Sequence, residues 1–286
     1  MNADKAALKD LLTKRRALVQ PTKHGFPAPR GKGRRAPGLS QQQVDRLTNR
    51  PMGTYYRLES GNLPSLPASD YLRTIAQLFG LNEQEWQALH RYAGLGDPPG
   101  PLYDSSGLEV PGVWQEAVDG FTHPAYVTDA RWDLLAHNEP FAELFPDRRT
   151  PTNTMRWMLL DPTARHMLLD WDTVWAPLVL PQLRAALTER PQDPVLTGIV
   201  HDVTTDPDLA PIWHAGGAHI HPDGDERPIH HARYGPGHVT MCAAQPLTAR
   251  GARLIILIYH PGTDKRHTRL PMLRATNTTP QPSTVN

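Results

Sequence analysis

Apolar residues fall at helical spacing through the first third of the chain. Ala7, Leu8, Leu11, Leu12 and Leu18 share one side of a helix predicted over 4–18. Ser40 followed by Gln43 is a capping-box pattern, and Val44 and Leu47 then mark the inward face of a helix of about nine residues. Asn49 tolerates the left-handed backbone a tight turn needs. Pro51 is expected to open the next helix, which carries Tyr55 and Leu58 inward and ends at Gly61. Leu72, Ile75, Ala76 and Phe79 mark a fourth helix. Asn82 with Glu85 caps a fifth, with Trp86, Leu89 and Ala93 inward and Gly94 as its stop. Five short helices over 1–95 make an all-α domain, and the second and third, joined by a tight turn, form a helix-turn-helix.

The pattern then changes. Residues 96–112, dense in Gly, Pro, Ser and Asp, are expected to be a linker. Alternation predicts strands at 124–129 and 132–137 with a turn at Asp129-Ala130. A helical run follows: a short piece with Phe141, Leu144 and Phe145, then Met155–Leu160, a piece opened by Asp161-Pro162, Trp171–Glu189 interrupted at Pro177 and Pro181, Pro194–Val203 and Leu209–His214. Four late strands are expected at 217–221, 228–233, 238–244 and 253–259. Leu254 to Tyr259 is continuously apolar and predicts a central strand buried on both faces. Strands, helices, then strands give an α+β domain over 113–274. The tail, 275–286, lacks a packable apolar set and is expected to be disordered.

Charge sharpens this division. The 286 residues carry 30 Lys+Arg against 29 Asp+Glu. Residues 1–98 hold 15 basic and 8 acidic side chains, and residues 99–286 hold 15 and 21. No acid stands between Asp10 and Asp45, a stretch containing Arg30, Lys32, Arg34 and Arg35. A basic half on an acidic one fits a polyanion partner for the first half alone, and a solvated charged face is the plain alternative. One cysteine, Cys242, excludes a disulfide framework. The charged N-terminus lacks a secretory pattern, and the longest apolar run is far too short for a membrane span. A cytoplasmic, nucleoid-associated protein is the expectation.

LSQQQVDRLTNRPMGTYYRLESGN resembles the XRE-type helix-turn-helix, matching at Leu39, Ser40, Gln41, Val44, Leu47, Leu58, Glu59 and Gly61. It departs at Asp45, where a small residue is usual, at Asn49 and at Pro51. A charge at Asp45 must reach solvent or a partner. The wider spacing of Pro21, Gly25, Pro27, Arg34-Arg35-Ala36-Pro37-Gly38-Leu39 and Tyr55-Tyr56-Arg57 resembles actinobacterial regulators with a MmyB-type ligand-binding domain. HPAYVTDARWDLLAHNEPFAELF and LLDPTARHMLLDWDTV resemble segments of that domain, and the likeness weakens after residue 219. The resemblance implies a PAS-like sheet cradling a pocket closed by helices. It also implies a double-stranded DNA operator as partner and a small, largely apolar effector such as a fatty acid.

On that geometry Met52, Gly53, Thr54 and Arg57 face base edges. Arg57 suits guanine and Thr54 a thymine methyl. Arg57 pairing with Glu59 or Asp45 is the alternative. Gln41 would hold a phosphate, and Arg30, Lys32, Arg34 and Arg35 would meet phosphates or the minor groove. One short helix reads few base pairs, so a homodimer on half-sites is expected.

In the second half Trp157, Met158, Met167, Trp171 and Trp175 supply surplus apolar bulk for an effector pocket, or simply fill the core. Arg165 is a carboxylate partner for an acidic effector, or pairs with Asp161 or Asp170. No catalytic constellation, phosphate loop or cofactor motif stands out. His219-Ile220-His221 with Glu226 superficially resembles a cupin metal motif. A histidine-site metalloenzyme or cupin-like sensor is therefore the rival, although the flanking glycine spacing fails and no metal site is assigned.

Overall fold

The computed structural model describes residues 4–27, 38–217, 223–262 and 273. The first region holds α1 (Lys5–Leu18), α2 (Gln41–Leu47), α3 (Thr54–Glu59), α4 (Ser69–Leu78) and α5 (Glu83–Tyr92). Capping chemistry sets their starts. Ser40 accepts from the Gln43 amide at 3.2 Å while the Gln43 side chain accepts from the Ser40 amide at 2.7 Å. Asn82 and Glu85 make the same reciprocal pair. Leu8, Leu12, Val44, Tyr55, Leu72, Ile75, Trp86 and Leu89 close one core among these helices.

Pro51 does not open α3. Residues 51–53 form a turn, and Gly53 occupies the cap with φ +85°, a conformation that disfavours any side chain. Asn49, at φ +50°, makes the left-handed turn its composition suggests. The helix therefore starts at Thr54, three residues later than Pro51 suggests.

The segment after α5 is tied down on both sides. The Trp86 indole donates to Gly100 O at 3.1 Å, and Arg73 donates to Pro101 O at 2.6 Å. Leu102 is buried in the helical core. From the other side, Arg190 donates to the carbonyls of Asp104 and Ser106. Ala130 N donates to Gly107 O at 2.9 Å. Gly107 has φ +78°, and a Cβ there would collide with the Arg250 carbonyl, so only glycine fits. Directly after the Pro/Gly-rich stretch the chain forms α6 (Val113–Asp119), which alternation does not predict. Only Trp114 and Val118 give it an apolar side, too few for a helical period to register.

The second region is built on one antiparallel sheet of β1 (Ala125–Thr128), β2 (Leu134–His137), β3 (Asp225–His231), β4 (Gly235–Ala244) and β5 (Arg253–Pro261), in the order β2-β1-β5-β4-β3. Between β2 and β3 the chain runs through α7 (Glu139–Ala142), α8 (Thr154–Leu160), α9 (Pro162–Met167), α10 (Ala176–Glu189), α11 (Pro194–Thr205) and α12 (Leu209–Ala215). A π turn over Trp171–Trp175 leads into α10, and Pro177 falls in its first turn.

β5 is central, as its apolar run predicts. Ile255 and Leu257 pack under the helices, and Leu254 and Ile256 pack with α6 on the opposite face. Together the regions give an all-α first part and an α+β second part. The segments 263–272 and 274–286, residues 218–221 of the strand expected at 217–221, and Arg30, Lys32, Arg34, Arg35, His219 and His221 lie outside the described residues.

Asn138 locks the start of this sheet. Its Oδ1 accepts from Ala125 N at 2.9 Å and Phe141 N at 3.1 Å, and its Nδ2 donates to Phe121 O and His123 O at 3.0 and 2.8 Å. One buried side chain thus fixes α6, β1 and α7 together.

Candidate functional site

Two places on the molecule gather polar chemistry. The first is the α2–α3 pair. Asp45, expected to need solvent or a partner, is only 1% exposed. Its carboxylate accepts from Gly53 N and Tyr55 N, each at 2.7 Å. The charge therefore sits on the first amides of α3 and fixes that helix against α2. Glu59, at the far end of α3, accepts from Arg16 through Nε at 3.1 Å and Nη2 at 3.0 Å. Thr13 and Gln41 donate to the same carboxylate at 2.7 and 3.2 Å. Burial alone would raise the Glu59 pKa, but the Arg16, Thr13 and Gln41 donors together hold it below the usual glutamate range.

Both acids are thus occupied. Arg57 is exposed and has no ion pair with either, or with any other described carboxylate. Met52 is 71% exposed and Tyr56 is exposed beside Arg57. Thr54 donates its hydroxyl to Pro51 O at 2.7 Å. Gln41 is half-buried, engaged with Glu59. A groove of about 610 Å³ beside this pair is lined by Gln42, Arg46, Arg50 and Met52. Arg46 and Arg50 were not singled out from the sequence, although both are cations at or next to the turn. The Arg46 guanidinium lies over the Phe26 ring and that of Arg50 over Tyr71.

The second place lies between the sheet and its helices. Trp157, Met158, Met167 and Trp175 come together with Tyr126, Phe145, Met241 and Leu257 around an apolar recess. Its volume is only about 40 Å³. Trp175 donates to Pro228 O at 2.8 Å, which fixes its ring. Trp171 stands outside the recess, donating to Met158 O at 2.7 Å. Arg165 also stands outside. It pairs with Asp208 at 2.6 Å and Asp206 at 3.6 Å and lies over the Trp171 ring, so neither Asp161 nor Asp170 is its partner.

Next to the recess, and sharing Tyr126, Met158 and Met241 with it, is a cavity of about 710 Å³. Its walls come from the sheet, α10 and the end of α5. Five arginines, Arg91, Arg190, Arg227, Arg250 and Arg253, face two carboxylates, Asp97 and Glu189. None of the five was singled out from the sequence. Strand alternation carried the signal: Arg253, Ile255 and Leu257 share one face of β5, and Arg227 and Ile229 one face of β3. Tyr126 is buried between these elements. Burial pushes its phenol up to about 12 against the opposing pull of Arg227 and Arg253.

Among the described residues no group of three His, Cys, Asp or Glu side chains is placed to hold a metal ion. No helix among them is long and apolar enough to cross a membrane.

A sheet roofed by helices over a small-molecule-sized cavity is the architecture of a ligand-receiving domain. The MmyB-like transcription regulator ligand binding domain family matches residues 110–273, more than half of the chain. The chain belongs to that family, a family of transcription regulators. No curated protein matches the chain.

Proposed function

We propose that the chain is a sequence-specific DNA-binding transcription regulator, working as a homodimer, whose C-terminal domain binds a small effector and performs no catalytic step. The α2–α3 pair is then a helix-turn-helix of XRE type, with α3 in the major groove. The observation that carries this is the state of Arg57. The neighbouring acids that could neutralise it are consumed internally, Glu59 by Arg16 and Asp45 by the α3 amides, so an exposed guanidinium remains on α3. Arg46, Arg50 and the exposed Met52 and Tyr56 extend that surface. The effector changes operator affinity by the difference in its affinity for the free and DNA-bound arrangements.

Genome-wide occupancy, followed by in vitro binding of the recovered site at two salt concentrations, tests this. A shared palindromic site, a steep salt dependence and a loss of about 1–3 kcal/mol in Arg57→Ala are expected. The thermal midpoint of that variant should match wild type, because Arg57 has no ion-pair partner among the described residues. No enriched site, together with weak binding indifferent to Arg57→Ala, overturns the assignment. Light scattering checks the dimer: a monomer mass with and without operator would sink it.

A further inference from the structure

We propose that the cavity between the sheet and α10 is a binding site for a small organic dianion, anchored by the guanidinium groups of Arg227 and Arg253. This rests on the effector-binding reading of the C-terminal domain and names the effector's chemical class.

The first observation is Arg227. It is 1% exposed and lines the cavity. Its Nε donates to Asp225 at 2.8 Å and its guanidinium lies 5.1 Å from the Trp175 ring centroid. Its buried Nη2 has no hydrogen-bond partner. A buried charged donor left without a partner is costly unless a ligand or water completes it. The second observation is Arg253. Its guanidinium lies 4.0 Å from the Trp132 ring centroid and donates to Gly251 O at 2.8 Å; Glu189 and Asp129 are the acids in its field, and neither forms an ion pair with it among the described residues. Burial pulls its pKa down to about 10, so it stays charged at neutral pH. Both charges stand on inward positions of a domain whose sequence is acidic overall.

The third observation is the relation of the two spaces. The recess beyond Met158 and Met241 holds about 40 Å³, a small fraction of the space in the cavity beside it. Of these two adjoining spaces, the cavity of about 710 Å³ has room for a metabolite. Its walls carry Gln182 and Gln245 as well as the arginines. A long acyl chain has no place in the recess, whereas two carboxylates on a short linker suit the arginine-lined space. The effector assigned by this geometry is therefore a polar diacid, not the largely apolar molecule the resemblance implies.

Thermal unfolding of the full chain at constant ionic strength tests the site with succinate, glutarate and adipate, each against its neutral diamide. At least one diacid should raise the midpoint saturably, and no diamide should. Arg253→Gln should weaken the apparent Kd about tenfold or more. Arg227→Lys, which retains the charge beside Asp225 but loses the forked donor, should weaken it as well. Arg165→Gln, outside the cavity, should not. If no diacid exceeds its diamide, or if Arg253→Gln and Arg227→Lys both bind as wild type, the proposal is overturned. Because the readout contains no DNA, its failure leaves the operator experiment untouched. A missing operator would equally leave diacid binding intact.

Discussion

The α2–α3 unit of the helical region and the arginines of the sheet-domain cavity treat buried charge in opposite ways. In the first, each buried acid of the α2–α3 unit is closed within the protein. Arg16 and Glu59 complete one another, and Asp45 is spent on two amides of α3. In the second, Arg227 keeps an unsatisfied Nη2, and Arg253 has an indole and a carbonyl but no ion pair among the described residues. A fully satisfied network rigidifies, while an unsatisfied one stores affinity for whatever completes it. The contrast separates a scaffold that presents an outer surface from a receptacle that awaits an inner partner. The 96–112 segment lies against both. Arg73 and Trp86 hold it from the helical side, and Arg190 and Arg250 from the sheet side. Arg190 and Arg250 also line the cavity, so charge entering there is placed beside the tether between regions.

The largest effect should come from breaking the closed side. Glu59→Ala leaves Arg16, 8% exposed, without its carboxylate. Removing one partner of a buried pair costs about 3–5 kcal/mol. Chemical denaturation should show that loss, with α3 the first element to lose amide protection. A loss below about 1 kcal/mol, the level of a surface pair, would mean that the pair does not close the helical core. The same carboxylate sets an acid limit. Its pKa is lowered in the fold, so its contribution is present above the ordinary glutamate range and fades as pH falls through it.

Asp45→Ala comes next. Two amides of α3 would lose a charged acceptor at 2.7 Å. A cost of about 2 kcal/mol is expected, at the upper end for an N-terminal cap. The sharper consequence is for DNA. With α3 no longer fixed to α2, operator binding should fall more than Arg57→Ala alone would explain at the same fraction folded. Full operator affinity in a folded Asp45→Ala protein would show that another contact sets the α3 orientation.

How much of this was legible beforehand follows the same division. Helical periods and caps are local signals, so Ser40, Asn82 and the five apolar stripes located α1 to α5, but not the 3-10 turn at Pro21–His24, which falls in a stretch whose Pro and Gly content argued against any regular element. The start of α3 was displaced because the positive φ of Gly53 is set by Asp45 reaching across the turn, which no local propensity reports. In the sheet domain, alternation and the apolar run of β5 placed the described strands. The recess residues Trp157, Met158, Met167 and Trp175 were found because bulk is visible in composition. Arg227 and Arg253 were not, because an arginine on an inward strand position has meaning only once the opposing α10 wall and the unfilled Nη2 of Arg227 are known. Arg165 illustrates the reverse error. Its near-sequence acids drew attention, while its real partners, Asp206 and Asp208, arrive from the turn before α12.

The smallest expected effect tests whether the sheet domain also carries a charge it would be more stable without. Asp129 is 3% exposed at the end of β1. Burial raises its pKa to about 6, although the amides of Arg131 and Asp133 donate to it at 2.7 and 2.8 Å. The neighbouring Asp133 pushes it up and Arg131 pulls it down. The folded state therefore holds this proton at pH values where the unfolded chain has released it. Stability from this group is greatest below the ordinary aspartate range and declines as pH rises toward about 6. Asp129→Asn keeps an acceptor for both amides and removes the charge. The variant should gain on wild type near pH 7 by a degree or more in thermal midpoint and lose that advantage near pH 4. Glu59 loses stability toward the same acidic range, so the informative quantity is the variant-minus-wild-type difference, in which Glu59 cancels. A difference that does not change between the two pH values would mean that Asp129 is ionised in the fold at little cost, and that uncompensated charge in this domain is confined to the arginines of the cavity.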